Sequence, residues 1–457
     1  MDRLGTGLDR AGNGPHQAHL VGLDGGGMAG LAQMLVQRGC EVSGSVPGPC
    51  PESDRLRRLG VRVHLGHAIP ASPRRTARLL VYGPGVAREH PERLRAARLG
   101  VEQSSSREFV GRLLGRGVGI AAVGGRRAGV AAAMVGWTLA HAGLDPTLLL
   151  STSSPQLGEG GRLGLGPHVV VESEGMVDAS DLAGVRVVLV LDDRAGPDRS
   201  AAIRRWAESA PPGGYVLGEA DAGDPPCPPA SSGVEVERFS LAPGHAWWGT
   251  DLKEDRGRYR FRAFHRGRFA MEVRLRVPGR QHVLGALAAA AVCGRVDVAP
   301  RAIKEALEEF AGVSRGFESR GSYRGVTLVD DEAPGPRAVA EALRSAREVF
   351  GRRRLCAAYR PDPRGDGSWP TAPEFADADA VLVVDEAGPP GGPRARDLAT
   401  ALASVGATVL RAAGLDEAIR ELDRHLEPGD VLVTLGAGDV GTIADAFLRR
   451  LSRDRHA

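Results

Sequence analysis

The sequence predicts an α/β protein made of three successive units. Three observations carry this. Short apolar runs of strand length alternate with stretches of helical period along most of the chain. Two of the strand-to-helix turns are glycine-rich. One stretch, at 259–277, instead alternates polar and apolar residues singly. Alternating strands and helices pack as parallel sheets with helices on both faces, and single alternation reads as antiparallel strands. At 457 residues, the length fits roughly two to four domains.

In chain order, residues 1–17 are rich in glycine and polar residues, lack an apolar h-region, and read as a disordered leader rather than a signal peptide. The first unit, 18–115, opens with a strand at 18–23 that is broken by Gly25-Gly26-Gly27. A helix at 28–38 follows, with Leu31, Met34 and Leu35 on one face. Strands follow at 40–43, 61–65 and 79–82, helices at 54–59 and 91–99, and a connecting helix at 104–116. The second unit, 116–314, has a strand at 118–123, a turn at Gly124-Gly125 and a long helix at 128–142. Further strands lie at 147–150, 168–172 and 185–191, a Pro/Gly-rich loop at 211–229, the hairpin at 259–277 and helices at 283–293 and 300–310. The third unit, 315–457, alternates strands at 326–329, 354–359, 380–384, 408–410 and 430–435 with helices at 336–349, 396–405, 415–425 and 440–451.

Composition narrows the function. Lys+Arg 59 against Asp+Glu 56 is too balanced for binding nucleic acid or a membrane surface through bulk charge. Lys253 and Lys304 are the only lysines, so chemistry that needs an ammonium has two candidates. The five cysteines are scattered and form no C-x-x-C pair, which argues against a zinc site or disulfide framework and for a reducing, cytoplasmic setting. No apolar run reaches the roughly 18 residues of a membrane span.

Two loops are placed for chemistry. Gly25-Gly26-Gly27-Met28-Ala29-Gly30 reads G-x-G-x-x-G between a strand and a helix, where small residues let backbone N–H groups approach a phosphate. A dinucleotide site adds an acidic residue at the end of the second strand. Ser45 and Val46 stand there, which weakens an NAD(P)-binding oxidoreductase as a reading. The second loop, Gly124-Gly125-Arg126-Arg127-Ala128-Gly129, has the position of an ATP phosphate loop. It lacks the lysine and the hydroxyl such loops use, and an architectural turn with solvated arginines is the favoured reading.

These pieces together resemble the Mur ligase family, from His19 to Leu451, and within it the branch that joins L-alanine to UDP-N-acetylmuramate. The residues that carry the resemblance are His19-Leu20-Val21-Gly22-Leu23-Asp24-Gly25-Gly26-Gly27-Met28-Ala29-Gly30, Val42-Ser43-Gly44-Ser45, Leu65-Gly66-His67, His141-Ala142-Gly143-Leu144-Asp145-Pro146-Thr147, Gly325-Val326-Thr327-Leu328-Val329-Asp330-Asp331 and Leu435-Gly436-Ala437-Gly438-Asp439. The resemblance implies a Rossmann-like N-terminal domain that binds the UDP-sugar, a central phosphate-loop domain that binds ATP, and a Rossmann-like C-terminal domain that binds the amino acid. It implies Gly25, Gly26, Gly27, Met28, Ser43 and His67 for the UDP-sugar, and Gly124, Gly125, Arg126, Arg127 and His282 for the nucleotide. The implied chemistry is phosphorylation of the sugar's carboxylate by ATP and Mg²⁺, then attack by an amine.

The chain departs from the family at the chemical positions. The family's G-T-H-G-K-T-T falls on residues 124–130, so Ala128 replaces the lysine and Gly129 the first threonine. The acidic element falls on 172–176, where Gly175 occupies the metal-ligand position and Glu172 or Glu174 could substitute. The R-H-N-x-x-N element has become 280–285. The two histidines after Asp330-Asp331 are missing, and the P-H-R-Y-S-R-T element has become 361–367. Losing one preorganised charge-stabilising donor costs on the order of 10²–10³ in rate. The resulting expectation is a homologue with lost or weakened ATP chemistry that retains UDP-sugar binding or partners cell-wall enzymes. The alternative is an active ligase with a rebuilt site, with Arg126 or Arg127 in place of the lysine, Asp330 and Asp331 as catalytic residues, and Glu172 or Glu174 for the metal.

His282 reads foremost as a satisfied helix-end histidine, and Asp330 and Asp331 as caps of the following turn. Trp247 and Trp248 read as packing. The Arg/aromatic run 256–262 reads as a strand with a solvated arginine face.

Overall fold

The computed structural model describes residues 17–25, 27–48, 51–66, 78–115, 117–172, 185–191, 201, 206, 210–220, 233–333, 335–361, 369–385, 393–436 and 438–454. The leader 1–16 and the candidates Gly26, His67 and Glu174 lie outside them. Three sheets are present, and the chain divides into two compact units. The first comprises 1–250, 262–273 and 284–310; the second comprises 251–261, 274–283 and 311–457.

The first sheet is parallel throughout, in the order β3-β2-β1-β4-β5. Its strands are β1 (Gln17–Val21), β2 (Glu41–Val46), β3 (Arg62–Leu65), β4 (Leu79–Tyr82) and β5 (Glu102–Ser105), and its helices are α1 (Met28–Gln37), α2 (Pro51–Arg58), α3 (Pro91–Arg98) and α4 (Ser106–Leu114). The stretch expected to be one helix from 104 is a strand end followed by a helix. Ser105 caps α4 and forms a reciprocal capping box with Glu108, which fixes the helix start at Ser106. Leu20, Leu31, Leu35 and Val81 are fully buried on the sheet.

The second sheet has ten strands in the order β15-β14-β13-β12-β11-β10-β6-β9-β7-β8. Its strands are β6 (Val118–Val123), β7 (Thr147–Leu149), β8 (Gly161–Arg162), β9 (His168–Glu172), β10 (Val185–Val190), β11 (Tyr215–Glu219), β12 (Glu235–Ser240), β13 (Trp247–Asp255), β14 (Arg258–His265) and β15 (Arg268–Pro278). The helices are α5 (Gly125–His141), α6 (Arg280–Arg295) and α7 (Pro300–Glu309). The segment expected to be a loop at 211–229 contains the wholly buried strand β11; its neighbours β10 and β12 supply the ladder that a local reading of Pro and Gly missed. The arginine run alternates as expected, with Arg258 and Arg260 exposed and Tyr259 and Phe261 buried. Trp247 stacks on His265 and Trp248 on Phe264, with ring centroids 4.4 and 4.3 Å apart.

Helix α1 packs on β8 at a glycine–glycine contact. A Cβ at Gly161 would stand 2.1 Å from the Gly30 carbonyl oxygen, so no side chain fits there. A Cβ on Gly30 would meet Leu149 Cδ1 at 3.1 Å, a tight contact, so Gly30 serves close packing, as the third glycine of such a fingerprint does. Gln37 clamps the contact, donating to the Gly161 carbonyl and accepting from the Leu163 N–H.

The third sheet runs β16-β17-β21-β18-β19-β20 and is parallel except for β16. It consists of β16 (Glu318–Tyr323), β17 (Val326–Asp331), β18 (Leu355–Tyr359), β19 (Ala380–Val384), β20 (Thr408–Ala412) and β21 (Val431–Leu435). Its helices are α8 (Pro336–Phe350), α9 (Pro393–Ser404), α10 (Leu415–His425) and α11 (Thr442–Asp454). Among the described residues, no helix is long and apolar enough to cross a membrane.

Candidate functional site: the turn into the central helix

The glycine turn follows β6, in the crevice at the carboxyl ends of parallel strands where ligands of α/β sheets bind. Val123 ends β6 and Gly125 opens α5, so Gly124 alone separates strand from helix. A phosphate loop places several residues there to wrap the phosphates. Gly124 has φ +136°, and a Cβ on it would stand 1.4 Å from the Leu191 carbonyl oxygen, so only glycine is possible.

Arg127, in the first turn of α5, is not a solvated arginine as expected from sequence. Its Nη1 and Nη2 donate to the two carboxylate oxygens of Glu219 at 2.8 and 3.0 Å. The Glu219 side chain is 0% exposed and that of Arg127 is 12% exposed. Glu219 stands at the end of β11, two strands from β6, and sits in the stretch read as a loop. The signal that could have found it is the run Tyr215-Val216-Leu217 after a Gly-Gly turn, ending in an acid. Arg126, one residue earlier, is half-buried.

Ala128 is fully buried. Gly129 faces Glu172, and a Cβ there would meet Glu172 Oε1 at 2.5 Å and Oε2 at 2.9 Å. Glu172 itself is buried at the end of β9. Its Oε2 accepts from the Ser151 backbone N–H at 2.9 Å and from the Ser151 hydroxyl at 2.6 Å. The carboxylate therefore fills the space in which a side chain at position 129 would lie. Tested as a cradle for a nucleoside triphosphate and magnesium, these residues do not fit. Positions 128 and 129 offer neither a cation nor a hydroxyl, and the Arg127 guanidinium is committed to Glu219.

The remaining candidates fall into three separate places. In the first sheet, Gly27 opens α1 at φ +72° and no side chain caps the helix, so backbone N–H groups are what this turn offers an anion. Gly25 is tied into the turn, donating to the Gly22 carbonyl at 3.1 Å. Met28 is 0% exposed and belongs to the core. Ser43 is buried too, with its hydroxyl 2.9 Å from His19 Nδ1; Ser45 donates to Glu92 at 2.6 Å, and Glu92 lies 3.5 Å from His19 Nε2. Ser43 is thus part of an internal network beneath the sheet.

His282 lies in the first turn of α6, buried, with Nδ1 2.5 Å from the Pro278 carbonyl oxygen.

At the end of β17, the buried Asp330 accepts from Thr434 Oγ1 at 2.7 Å and from Arg315 Nε at 3.0 Å. Arg315 also donates to the carbonyls of Gly436 and Gly438, tying the start of the third sheet to the loop after β21. Sequence reasoning missed Arg315. Asp331 accepts from the backbone N–H groups of Phe317 and Ala333 at 2.8 and 2.9 Å, the turn-capping role. Both carboxylates accept hydrogen bonds from groups of the third sheet and its loops. Among the described residues, no group of three His, Cys, Asp or Glu side chains could hold a metal ion.

Comparison with known proteins gives these pieces a common origin. Residues 17–117 match the Mur ligase family, catalytic domain, and residues 315–438 match the Mur ligase, glutamate ligase domain. A UDP-N-acetylmuramate–L-alanine ligase of Anaeromyxobacter dehalogenans is 33% identical over 461 residues, covering 95% of this chain and 98% of that protein. That of Solibacter usitatus is 31% identical, covering 96% of each. The crystal structure of the UDP-N-acetylmuramate–alanine ligase of Thermotoga maritima has the same fold, with a TM-score of 0.80 at 22% identity over 96% of this chain and 99% of that one. Resemblance in sequence over nearly the whole length, and in fold across all three sheets, makes this chain a member of the Mur ligase family, in its UDP-N-acetylmuramate–L-alanine ligase branch.

Proposed function

We propose that this protein is a peptidoglycan-precursor Mur ligase homologue whose ATP-driven step is lost or severely weakened. In this reading, residues 18–115 keep the capacity to bind a UDP-linked sugar through the Gly25–Gly27 turn. Residues 116–314 and 315–457 retain the ligase framework, and the protein works in the cytoplasm as a ligand-binding partner of cell-wall enzymes. The relatives named above act on UDP-N-acetylmuramate and L-alanine, which supports this ligand class.

The observation that carries the proposal is the interlock at the turn. Glu172 occupies the space next to Gly129, and Glu219 holds Arg127. Replacing a lysine by Arg127 would require its guanidinium to leave a fully buried carboxylate. Leaving that carboxylate buried and unpaired would cost several kcal/mol, which disfavours a site rebuilt on Arg127. An NAD(P)-binding oxidoreductase gains no support from the relatives or from Ser45, which is turned toward Glu92.

Calorimetric titration with ATP, with and without Mg²⁺, tests the reading. The expected result is no metal-dependent binding, together with retained binding of UDP-N-acetylmuramate. Micromolar, magnesium-dependent ATP affinity, or phosphate release on adding UDP-N-acetylmuramate and L-alanine, would overturn it.

A further inference from the structure

The ribbon formed by β13, β14 and β15 carries arginines that the ligase reading does not use. Its first turn is Asp255-Arg256-Gly257-Arg258, with Arg256 at φ +52° and Gly257 at φ +73°, the left-handed pair of a tight hairpin. Arg256, Arg258 and Arg276 converge on a cavity of about 530 Å³ within the second unit. That volume lies in the range of small-molecule pockets, about 300–1,000 Å³. The other side of the cavity is mostly apolar: Phe317, Val329, Val349 and Phe350 line it, with Ser319 and Thr327 between them, from the start of the third sheet and the end of α8.

Three further observations set this cavity apart from an ordinary solvated surface. Four arginines elsewhere in the same unit are held by acids: Arg315 by Asp330, Arg347 by Asp379, Arg354 by Asp430 and Arg411 by Asp385. Arg256, Arg258 and Arg276 have no such partner among the described residues, and Asp255 on the rim is already paired with Arg274 at 3.5 Å. Gathering unpaired like charges is unfavourable unless an anion joins them. Finally, Phe317 is buried at φ +56°, a strained conformation for an aromatic residue, fixed there by the bond from its N–H to Asp331. Strain of this kind concentrates where a side chain has been aimed at a task.

We propose that this cleft binds a small amphiphilic anion: a carboxylate or phosphate carried on an apolar body. The anionic group meets Arg256, Arg258 and Arg276, and the body lies on Phe317, Val329, Val349 and Phe350. The site borders Asp331, which accepts from the Phe317 N–H; its residues take no part in the ATP titration, whose success or failure leaves the proposal untouched.

The test uses the full-length protein and 8-anilinonaphthalene-1-sulfonate, an anion on an aromatic body, followed by fluorescence at low salt. N-phenyl-1-naphthylamine serves as its uncharged counterpart. The proposal expects saturable binding of the sulfonate at one site and much weaker binding of the amine. Arg276→Ser should weaken the sulfonate about tenfold, the order of one charge-assisted contact. Adding Arg256→Asn, a residue suited to φ +52°, should weaken it further. Both arginines are exposed, so unchanged thermal melting is the control for folding. Displacement by octanoate identifies a chain-like body, and displacement by uridine monophosphate an aromatic one. Equal affinity for the two probes, unaltered affinity in the double variant, or displacement by neither competitor at millimolar concentration would overturn the proposal.

Discussion

The interlock of Gly129 and Glu172 makes a prediction whose sign is informative. In an ordinary helix interior, Gly→Ala stabilises by about 1 kcal/mol, because glycine gives up more backbone freedom on folding. Gly129 lies in α5 and is buried, so the same gain would apply if there were room. There is none: the new methyl would stand 2.5 Å from Glu172 Oε1, well inside van der Waals contact. The carboxylate cannot swing aside freely, since Oε2 is held by both the N–H and the hydroxyl of Ser151. Overpacking of this kind costs about 1–3 kcal/mol, and loosening the two charge-assisted bonds adds to it. Gly129→Ala is therefore expected to destabilise the first unit by about 1–2 kcal/mol net of the helix gain. In a protein this size that is a fall of a few degrees in melting temperature. The assay is thermal melting followed by circular dichroism, with Glu172→Ala as the second arm. Removing the carboxylate should abolish the penalty, so that Gly129→Ala becomes neutral or stabilising in that background. A rise in melting temperature for Gly129→Ala alone would refute the argument, because it would mean that the space beside the helix is open.

Two further outcomes follow from buried charge. Arg127→Ala strips Glu219 of its bidentate guanidinium and should cost about 3 kcal/mol, the order found when one partner of a buried pair is removed; a loss below about 1 kcal/mol in melting or denaturant experiments would show that the pair behaves as a surface bridge. His168 is buried with Nδ1 lacking a hydrogen-bond partner among the described residues, and burial holds its pKa below the usual 6.5. The unfolded chain thus binds a proton more readily than the folded one. The stability contributed by neutral His168 is present above pH 6.5 and is lost as pH falls through its lower folded value. His64 shifts in the same direction, through burial and then the neighbouring His19. Melting temperature should drop between about pH 7.5 and about 5.5, and His168→Val should flatten part of that drop; an unchanged slope in the variant would count against the assignment.

Much of this molecule was legible in the chain itself. Strand-length runs such as 118–123 and 431–435 and the helical faces between them gave the α/β class, since hydrophobic period depends only on local spacing. The family motifs gave the ligase framework, and the alanine and glycine at positions 128 and 129 were readable residue by residue. Asp331 as a turn cap was likewise a local property. Strand β11 was missed because its Pro- and Gly-rich flanks dominate a local reading, while its strand character comes from ladders with β10 and β12 on either side.

Only the tertiary structure decided what fills the space beside Ala128 and Gly129. Glu172 meets Gly129, and Glu219 meets Arg127 across 92 residues of sequence, because the order β11-β10-β6-β9 brings those strand ends beside one helix. The arginine-rimmed cleft has the same origin: Arg256 and Arg276 come from a ribbon, and Phe317 and Phe350 from elements that follow it. Periodicity fixes which side of an element is buried. Which buried group faces which is set by strand order and register, and these depend on pairings between residues far apart in the chain.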